Sequence, residues 1–318
     1  MKARKLLLCA AVAALALSVS APSYARQDEA SRLDKKVDGL FAAGNYAAAL
    51  PLARQSLAIR EKAFGPEDAK VALSLYNLAA VEYNRGHYAV AEPLYKRSLA
   101  IFEKAHGPDD DRVASLLNNL GELYRTQERY ADAEPLLKRS LAIRDKANPD
   151  DPAIAPALSN LAAVYCNQHR YDQAEPLFKR GLAILEKAHG PDHPELSVVL
   201  SNLADLYINQ KRYAEAEPTL KRSLGLAEKA GPNHPDVALA LNNLATLYLY
   251  QDRYADAEPL LKRSVAVFEK SLGPNNPEIA GVLDNLAGLY KQQGRLADAA
   301  PLLKRSAAIR EKAAGRKI

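Results

Sequence analysis

The chain has 318 residues, a formal net charge of +5 and 25% charged residues, with 16 tyrosines and no tryptophan. Three positive charges, on Lys2, Arg4 and Lys5, lie in the first 25 residues, where no acid balances them. The remainder is therefore nearly neutral, which argues against a surface built to neutralise nucleic-acid phosphates.

Residues 1–25 have the pattern of a secretory signal peptide. A basic start precedes an apolar run, Leu6–Val19, and small residues flank Tyr24. The run, about 14 residues, is shorter than the roughly 20 that a membrane-spanning helix needs. We expect cleavage after Ala25 and export, to the periplasm or the medium. An uncleaved membrane anchor is the alternative.

One phrase organises the rest of the chain, and it is clearest as NLGELYRTQERYADAEPLLKR from Asn119 to Arg139. Copies begin at Asn77, Asn160, Asn202, Asn243 and Asn285. One proline in each of seven repeats marks the period, with spacings of 42, 42, 41, 42, 41 and 42: Pro51, Pro93, Pro135, Pro176, Pro218, Pro259 and Pro301. A period this regular indicates stacked repeats across residues 26–318. The expected boundaries are approximately 28–65, 66–107, 108–148, 149–190, 191–231, 232–273 and 274–315.

Each repeat predicts two helices. In the third repeat, apolar residues spaced by three and four predict a first helix from about Arg112 to Glu128 and a second from about Ala131 to Lys146. Gly121 stands where other repeats have alanine, and a small residue there lets the two helices approach closely. The predicted fold is all-α, a solenoid of about seven antiparallel helix pairs.

Short connectors such as GPDHP separate the repeats. Glycine ends the preceding helix, and a capping residue starts the next one. The expected capping residues are Asp68, Asp110, Asp151, His193, His234 and Asn276. The repeated proline lies about one turn inside the second helix, where we expect a slight bend. Four residues after the glutamate of most AEPL motifs comes a lysine, which predicts a helical ion pair.

The ends of the array depart from the pattern. The first repeat is degenerate, and the second has Glu82 where later repeats have tyrosine. The last repeat has Ala307 where the others have a large apolar residue, as expected if no further helix packs there.

The pattern N-L-A-x-L-Y-x-x-Q-x-R-Y-x-x-A-E-P-L with its GPxHP connector resembles the tetratricopeptide repeat (TPR) in its longer, kinesin light chain type. The resemblance covers about residues 28–315. It implies a right-handed superhelix whose first helices line a concave groove. It also implies binding of peptides or partner proteins rather than catalysis, so we expect no enzyme activity and no cofactor.

The asparagine that opens each phrase is the main candidate for ligand contact. Six helical asparagines at one position need a reason, because asparagine is a mediocre helix former. An amide can both donate to and accept from a peptide bond. The alternative is that each asparagine bonds a neighbouring repeat and only stabilises the stack. This asparagine column consists of Asn77, Asn119, Asn160, Asn202, Asn243 and Asn285.

Neighbouring positions are expected to set selectivity. The resemblance places in the groove Asn118, Asn242, Arg125 and Lys291, with Tyr83, Glu122, Asn167, Asn209, Asp205 and Asp284. Only two of these residues are basic, and they lie four repeats apart. A clamp for a terminal carboxylate is therefore disfavoured, and we expect a neutral, extended segment as the ligand.

Other features favour structural roles. The Lys-Arg pairs of the second to seventh repeats would form a basic stripe, but neighbouring glutamates balance it. A metal site at His189 and His193 is disfavoured because Gly190-Pro191 breaks the helix between them. Cys166, alone once the leader is removed, cannot form an internal disulfide.

The predicted function is a monomeric, non-enzymatic scaffold for a protein or peptide. The alternative is a structural component of an envelope assembly, with self-association.

Overall fold

The computed structural model describes residues 28–313, and the predicted leader of residues 1–25 lies outside them. Every regular element within the described residues is helical, with fourteen α-helices, one short 3-10 helix and no strand. This confirms the all-α prediction. The chain divides into two compact units, one that ends at Pro149 and one that begins at Asp150.

The first unit contains six helices: α1 (28–42), α2 (Tyr46–Phe64), α3 (Ala69–Asn84), α4 (Tyr88–His106), α5 (Asp111–Thr126) and α6 (Tyr130–Ala147). The second begins with the 3-10 helix Pro152–Ile154 and continues with α7 (Ala155–Asn167), α8 (Tyr171–His189), α9 (Leu196–Asn209), α10 (Tyr213–Ala230), α11 (Pro235–Tyr250), α12 (Tyr254–Leu272), α13 (Glu278–Gln292) and α14 (Leu296–Ala313). Both helices predicted for the third repeat lie within two residues of α5 and α6. Odd-numbered helices are the first helices of repeats, and each packs on the second helix that follows.

The helix ends follow the expected capping chemistry. Asp68 and Asp110 accept hydrogen bonds from backbone N–H groups two residues later, at 2.8 and 2.9 Å. Asp151 and Asn276 do the same. The Nδ1 atoms of His193 and His234 accept longer bonds of 3.4 Å in the same position. Asp68, Asp110, Asp151 and His234 are thus confirmed as capping residues, each of which satisfies a backbone donor that the helix leaves open. The prediction is off by one or two residues at α9 and α13, whose N-cap positions are Glu195 and Pro277, because the Pro-containing turn before each helix continues past His193 and Asn276.

The repeated proline lies inside each second helix without ending it. All seven prolines are exposed, so the carbonyl that loses its helical N–H partner is near water. This exposure explains why a helix breaker is tolerated at the same place in every repeat.

A small residue lies where the two helices of a repeat are closest. A Cβ atom on Gly121 would stand 2.6 Å from Cγ of Leu137, which is itself fully buried. The alanines at this position, such as Ala204 and Ala245, are also fully buried. The structure confirms that this position must be small.

A charged cluster joins successive repeats around the glutamate of AEPL. Glu258 accepts hydrogen bonds from Lys262 at 2.6 Å, from the Tyr290 hydroxyl at 3.0 Å and from Arg295 at 2.9 Å. The guanidinium of Arg295 also stacks 4.0 Å from the ring centre of Tyr290. We call this arrangement the inter-repeat clamp, because Glu258 and Lys262 belong to one repeat and the other two residues to the next.

The same clamp recurs around Glu92, Glu175 and Glu217. Hydrogen bonds to cations hold these carboxylates ionised. The bond from Lys262 is the main cause that lowers the pKa of Glu258 to about 2. The predicted Glu–Lys helical pairs are thus confirmed, but as part of a contact between repeats.

The second repeat builds its clamp with the acid on the other helix. Leu50 stands where later repeats have the clamp glutamate, and Glu82 stands where they have the clamp tyrosine. Glu82 is only 1% exposed, and its carboxylate contacts Arg54, Arg85 and His87, each at 2.9 Å. Burial opposes ionisation, but the bonds with His87 and Arg54 outweigh it, so the pKa of Glu82 lies below its ordinary value. In the second repeat the acid has therefore moved from position 50 to position 82, and the cations around Glu82 compensate for the move.

In α14, Ala307 is exposed, and no helix among the described residues packs on it. None of the helices in residues 28–313 combines the length and apolar character needed to cross a bilayer.

Because the acid stands at position 82 instead of position 50, substitutions at these two positions should have non-additive effects on the free energy of unfolding. Leu50→Glu alone sets a second carboxylate beside Glu82, and Glu82→Tyr alone leaves Arg54 and Arg85 without their buried acceptor. We expect each single substitution to lower the free energy of unfolding by about 1–3 kcal/mol. The double variant should recover at least about 1 kcal/mol relative to the sum of the singles. Urea unfolding of the four proteins measures this, and simple additivity would contradict the compensation.

Candidate functional site

The six residues of the asparagine column lie on first helices, one each on α3, α5, α7, α9, α11 and α13. Every one is half-buried, so part of each amide reaches the surface. We call the surface formed by the odd-numbered helices of a unit its first-helix face. Within the second unit, α7, α9, α11 and α13 lie side by side.

In the first unit, Asn77 and Asn119 line two open cavities. Asn77 shares the first with Val37 and Phe41 of α1. Asn119 shares the second with aromatic residues and Glu122. Its amide also donates a hydrogen bond of 3.0 Å to the hydroxyl of Tyr76 in the preceding repeat.

In the second unit, Asn202 and Asn243 line one cavity between α9 and α11. Asn285 lines another, between α11 and α13, together with Tyr250. The amide of Asn285 donates a hydrogen bond of 2.9 Å to Oδ1 of Asn242 in the preceding repeat. Five members of the column therefore border a cavity on a first-helix face.

The column divides into two kinds of asparagine. Asn119 and Asn285 bond the preceding repeat, which is the stacking role. The side chains of Asn77, Asn202 and Asn243 have no hydrogen-bond partner within residues 28–313. A half-buried amide without a partner retains its full capacity to donate and accept. The structure thus contains asparagines suited to each of the two roles considered from the sequence, stacking between repeats and contact with a ligand.

Four further residues predicted to lie in the groove differ in their exposure to solvent. Asn118 is buried and only 9% exposed, so its side chain is shielded from a ligand, whereas Asn242 is half-buried and accepts from Asn285. Arg125 is half-buried, and its Nε atom lacks an acceptor among the described residues. Lys291 is exposed. These two cations belong to different units.

Sequence reasoning missed an apolar set on the same face. Leu73, Val198 and Leu239 are 44%, 56% and 43% exposed, and each lies four residues before an asparagine of the column. Residues four apart are neighbours on one side of a helix. The corresponding residues of other repeats, among them Ser115 and Gly281, are small. A large apolar residue at this position in only some repeats is the sequence feature that could have revealed the apolar set.

Asp205 is the unusual ionisable group of this surface. It lies one turn after Asn202 on α9, and no cation within residues 28–313 pairs with it. Burial of its carboxylate among neighbouring atoms raises the pKa of Asp205 to about 6, although the residue as a whole remains open to solvent. Burial, followed by the charge of Asp205, also raises the pKa of the Cys166 thiol to about 11.

The Lys-Arg pairs are largely engaged within the protein. Lys262 bonds Glu258, and Arg263 bonds Glu228 of the preceding repeat at 2.6 Å. Equivalent arginine–glutamate contacts involve Arg97, Arg139, Arg222 and Arg305. These contacts agree with the interpretation of the pairs as a balanced, solvated surface.

His189 and His193 approach each other with ring centres 4.8 Å apart. In the part of the chain that the structure describes, no group of three histidine, cysteine, aspartate or glutamate side chains could hold a metal ion.

Comparison with known proteins identifies the repeat. A family model described as "Tetratricopeptide repeat" matches residues 33–104, 70–146, 153–229, 196–270 and 236–312. A comparison with curated proteins found no match.

Several solved structures share the fold. A putative kinesin light chain of Podosopora anserina with TPR-like repeats is 22% identical, with a TM-score of 0.53 over 66% of this chain and 97% of that chain. The apo form of RapI is 17% identical, with a TM-score of 0.67 over 89% of this chain and 98% of that chain. The Rap conjugation gene regulator of plasmid pLS20, in complex with the Phr* peptide, is 17% identical, with a TM-score of 0.64 over 87% of this chain and 72% of that chain.

The raised pKa of Asp205 predicts a pH-dependent cost to stability. In the unfolded chain this carboxyl ionises near its ordinary value, so the folded state binds more protons between that value and about pH 6. The folded state is therefore penalised above pH 6, and the penalty disappears as the pH falls. We expect Asp205→Asn to raise the melting temperature at pH 8 and to have little effect near pH 3, where the carboxyl is protonated in both states. A control, Asp172→Asn, changes an exposed carboxylate at the start of α8 and should not stabilise at either pH. Thermal unfolding by circular dichroism at both pH values measures this, and a lower melting temperature for Asp205→Asn at pH 8 contradicts the prediction.

Proposed function

We propose that this chain, which belongs to the tetratricopeptide repeat family, is a non-enzymatic scaffold that binds an extended segment of a peptide or partner protein on its first-helix faces. The observation that carries the proposal is the pair Asn202 and Asn243. Their amides have no partner in the described part of the chain, and both border one cavity.

The chemistry of the pair suits a peptide backbone. Each side-chain amide offers a donor and an acceptor, which match the carbonyl and N–H of a peptide bond whatever side chains the ligand carries. One such bond contributes roughly 0.5–1.5 kcal/mol, so useful affinity needs several repeats together. The column recurs on α7, α9, α11 and α13 of the second unit, which provides that multiplicity. The Phr* peptide bound by the Rap relative is consistent with this use of the fold.

The binding test uses a random library of displayed peptides of about nine residues, a length that spans about 30 Å when extended. We expect the wild-type protein to enrich a defined set of peptides. The variant Asn202→Ala with Asn243→Ala should bind the enriched peptides at least about tenfold more weakly, because several peptide hydrogen bonds are lost. Its melting temperature should stay close to the wild-type value, since neither amide bonds the protein.

The matched control is Asn285→Ala, which removes a hydrogen bond between repeats. It should lower the melting temperature, which shows that the assay detects a stacking role. If no peptide is enriched above background, the proposed function is wrong. If Asn202→Ala with Asn243→Ala instead lowers the melting temperature as Asn285→Ala does and leaves peptide binding intact, the column only stabilises the stack.

We also propose that the protein is exported, on the basis of the leader pattern in residues 1–25. The mature chain should then begin at Arg26 and be found outside the cytoplasm. Mass spectrometry of the protein recovered from cell fractions measures its first residue. An intact Met1 in the cytoplasmic fraction would contradict export, and an intact Met1 in the membrane fraction would favour the uncleaved anchor.

A further inference from the structure

Three neighbouring helices of the second unit have an unusual charge composition. The helices α7, α9 and α11 contain no lysine, arginine or histidine, and their only charged residues are Asp205 and Asp236. By contrast, α5 of the first unit carries Arg112 and Arg125. The first-helix face of α7, α9 and α11 is therefore negative, with no cation from its own helices to balance it.

Asp205 is a carboxylate that the fold leaves unsatisfied. The clamp glutamates are held by lysine and arginine, and Asp236 lies in the first turn of α11, where the helix N-terminus favours a negative charge. Asp205 has no such neighbour within residues 28–313. A carboxylate that no cation of the protein engages remains available to pair with a cation supplied by a ligand. The raised pKa of Asp205 and the neutral thiol of Cys166 agree with this description.

A cavity lies on the same face, and Asp205 follows its last lining residue on α9 by about one turn. The cavity is lined by two apolar residues, Val198 and Leu239, which are unusually exposed for large apolar side chains, and by Asn202, Asn243, Asp236, Ser197, Ser201 and Ser223. On α9, the sequence Val198, Asn202, Asp205 therefore places an apolar group, an amide and a carboxylate along one side of the helix. From Val198 to Asp205 the helix rises about 10 Å, which about three residues of extended chain can span.

We infer that the first-helix face of α7, α9 and α11 binds an extended segment with an apolar side chain and, about three residues away, a lysine or arginine. The apolar side chain packs between Val198 and Leu239, the backbone bonds Asn202 and Asn243, and the cation pairs with Asp205. This inference rests on the proposed function and defines the ligand for one part of it. It replaces the neutral segment expected from the sequence as a whole.

The experiment sequences the displayed peptides of about nine residues selected by three proteins: wild type, Asp205→Asn and the control Asp172→Asn. We expect lysine and arginine to be enriched several-fold over the unselected library on the wild type and on Asp172→Asn. The enrichment should be lost on Asp205→Asn, a variant that we expect to fold at least as stably as the wild type.

Individual peptides then test the contact itself. An enriched peptide should bind Asp205→Asn about tenfold more weakly than the wild type, as expected for a charged hydrogen bond that is partly open to solvent. Replacing its basic residue by glutamine should cause the same loss on the wild type and almost no further loss on Asp205→Asn. Such non-additivity identifies a direct pair.

The outcomes separate the two proposals. If peptides are enriched but are neutral or acidic, or if their basic residues persist on Asp205→Asn, the inference is wrong while peptide binding stands. If no peptides are enriched by the wild type, the proposed function fails and the inference fails with it.

Discussion

The inter-repeat clamp sets how one helix pair meets the next. A pair of short amphipathic helices cannot bury both of its apolar sides alone, so neighbouring repeats must stack. The clamp adds direction to that packing, because one carboxylate must meet a lysine, a tyrosine hydroxyl and an arginine at once. The second repeat shows what is constrained. Glu82 comes from the opposite helix, yet it still places a carboxylate against cations from both repeats. The position of the charge is therefore fixed, and the helix that supplies it is not.

The clamp also determines where the charged side chains lie relative to the candidate site. The cations of the second helices and turns contact acids within the stack, as Lys262 and Arg263 illustrate. The first helices α7, α9 and α11 have none, so their surface is composed of amides, hydroxyls, apolar groups and two carboxylates, Asp205 and Asp236. A face of this kind can bond a peptide backbone through Asn202 and Asn243 without competition from salt bridges of its own. The features that stabilise the stack and those that would bind a ligand thus use different residues of the same repeat.

Much of the fold follows from the sequence because repeat proteins depend on local contacts. The period, the two helices, the capping residues and the small residue at Gly121 are each specified within one repeat. Contacts between repeats are harder to predict. In the sequence, Glu82 looks like an unfavourable departure from the repeat pattern. The structure shows that Arg54, 28 residues earlier, donates a hydrogen bond to its carboxylate. The exposure of Val198 and Leu239 was equally hidden, since an apolar residue on a helical face predicts burial. The unpaired state of Asp205 depends on what neighbouring helices lack, which no single motif reveals.

The asparagine column shows how one residue type can carry both roles. Where the preceding repeat offers an acceptor, as Tyr76 or Asn242 does, the amide is used for stacking. At Asn202 and Asn243 the corresponding residues of the preceding repeat are Ser159 and Ser201, whose shorter side chains make no bond with the asparagine, and the amide stays open. Asp205 lies one turn after the open amide of Asn202, and its raised pKa predicts that its charge makes the free fold less stable at neutral pH. Proteins retain destabilising groups chiefly where activity or binding requires them. Asp205 lies on the same side of α9 as Val198 and Asn202 and has no cation partner within residues 28–313, and this geometry is the reason to place a ligand's cation at this point of the second unit.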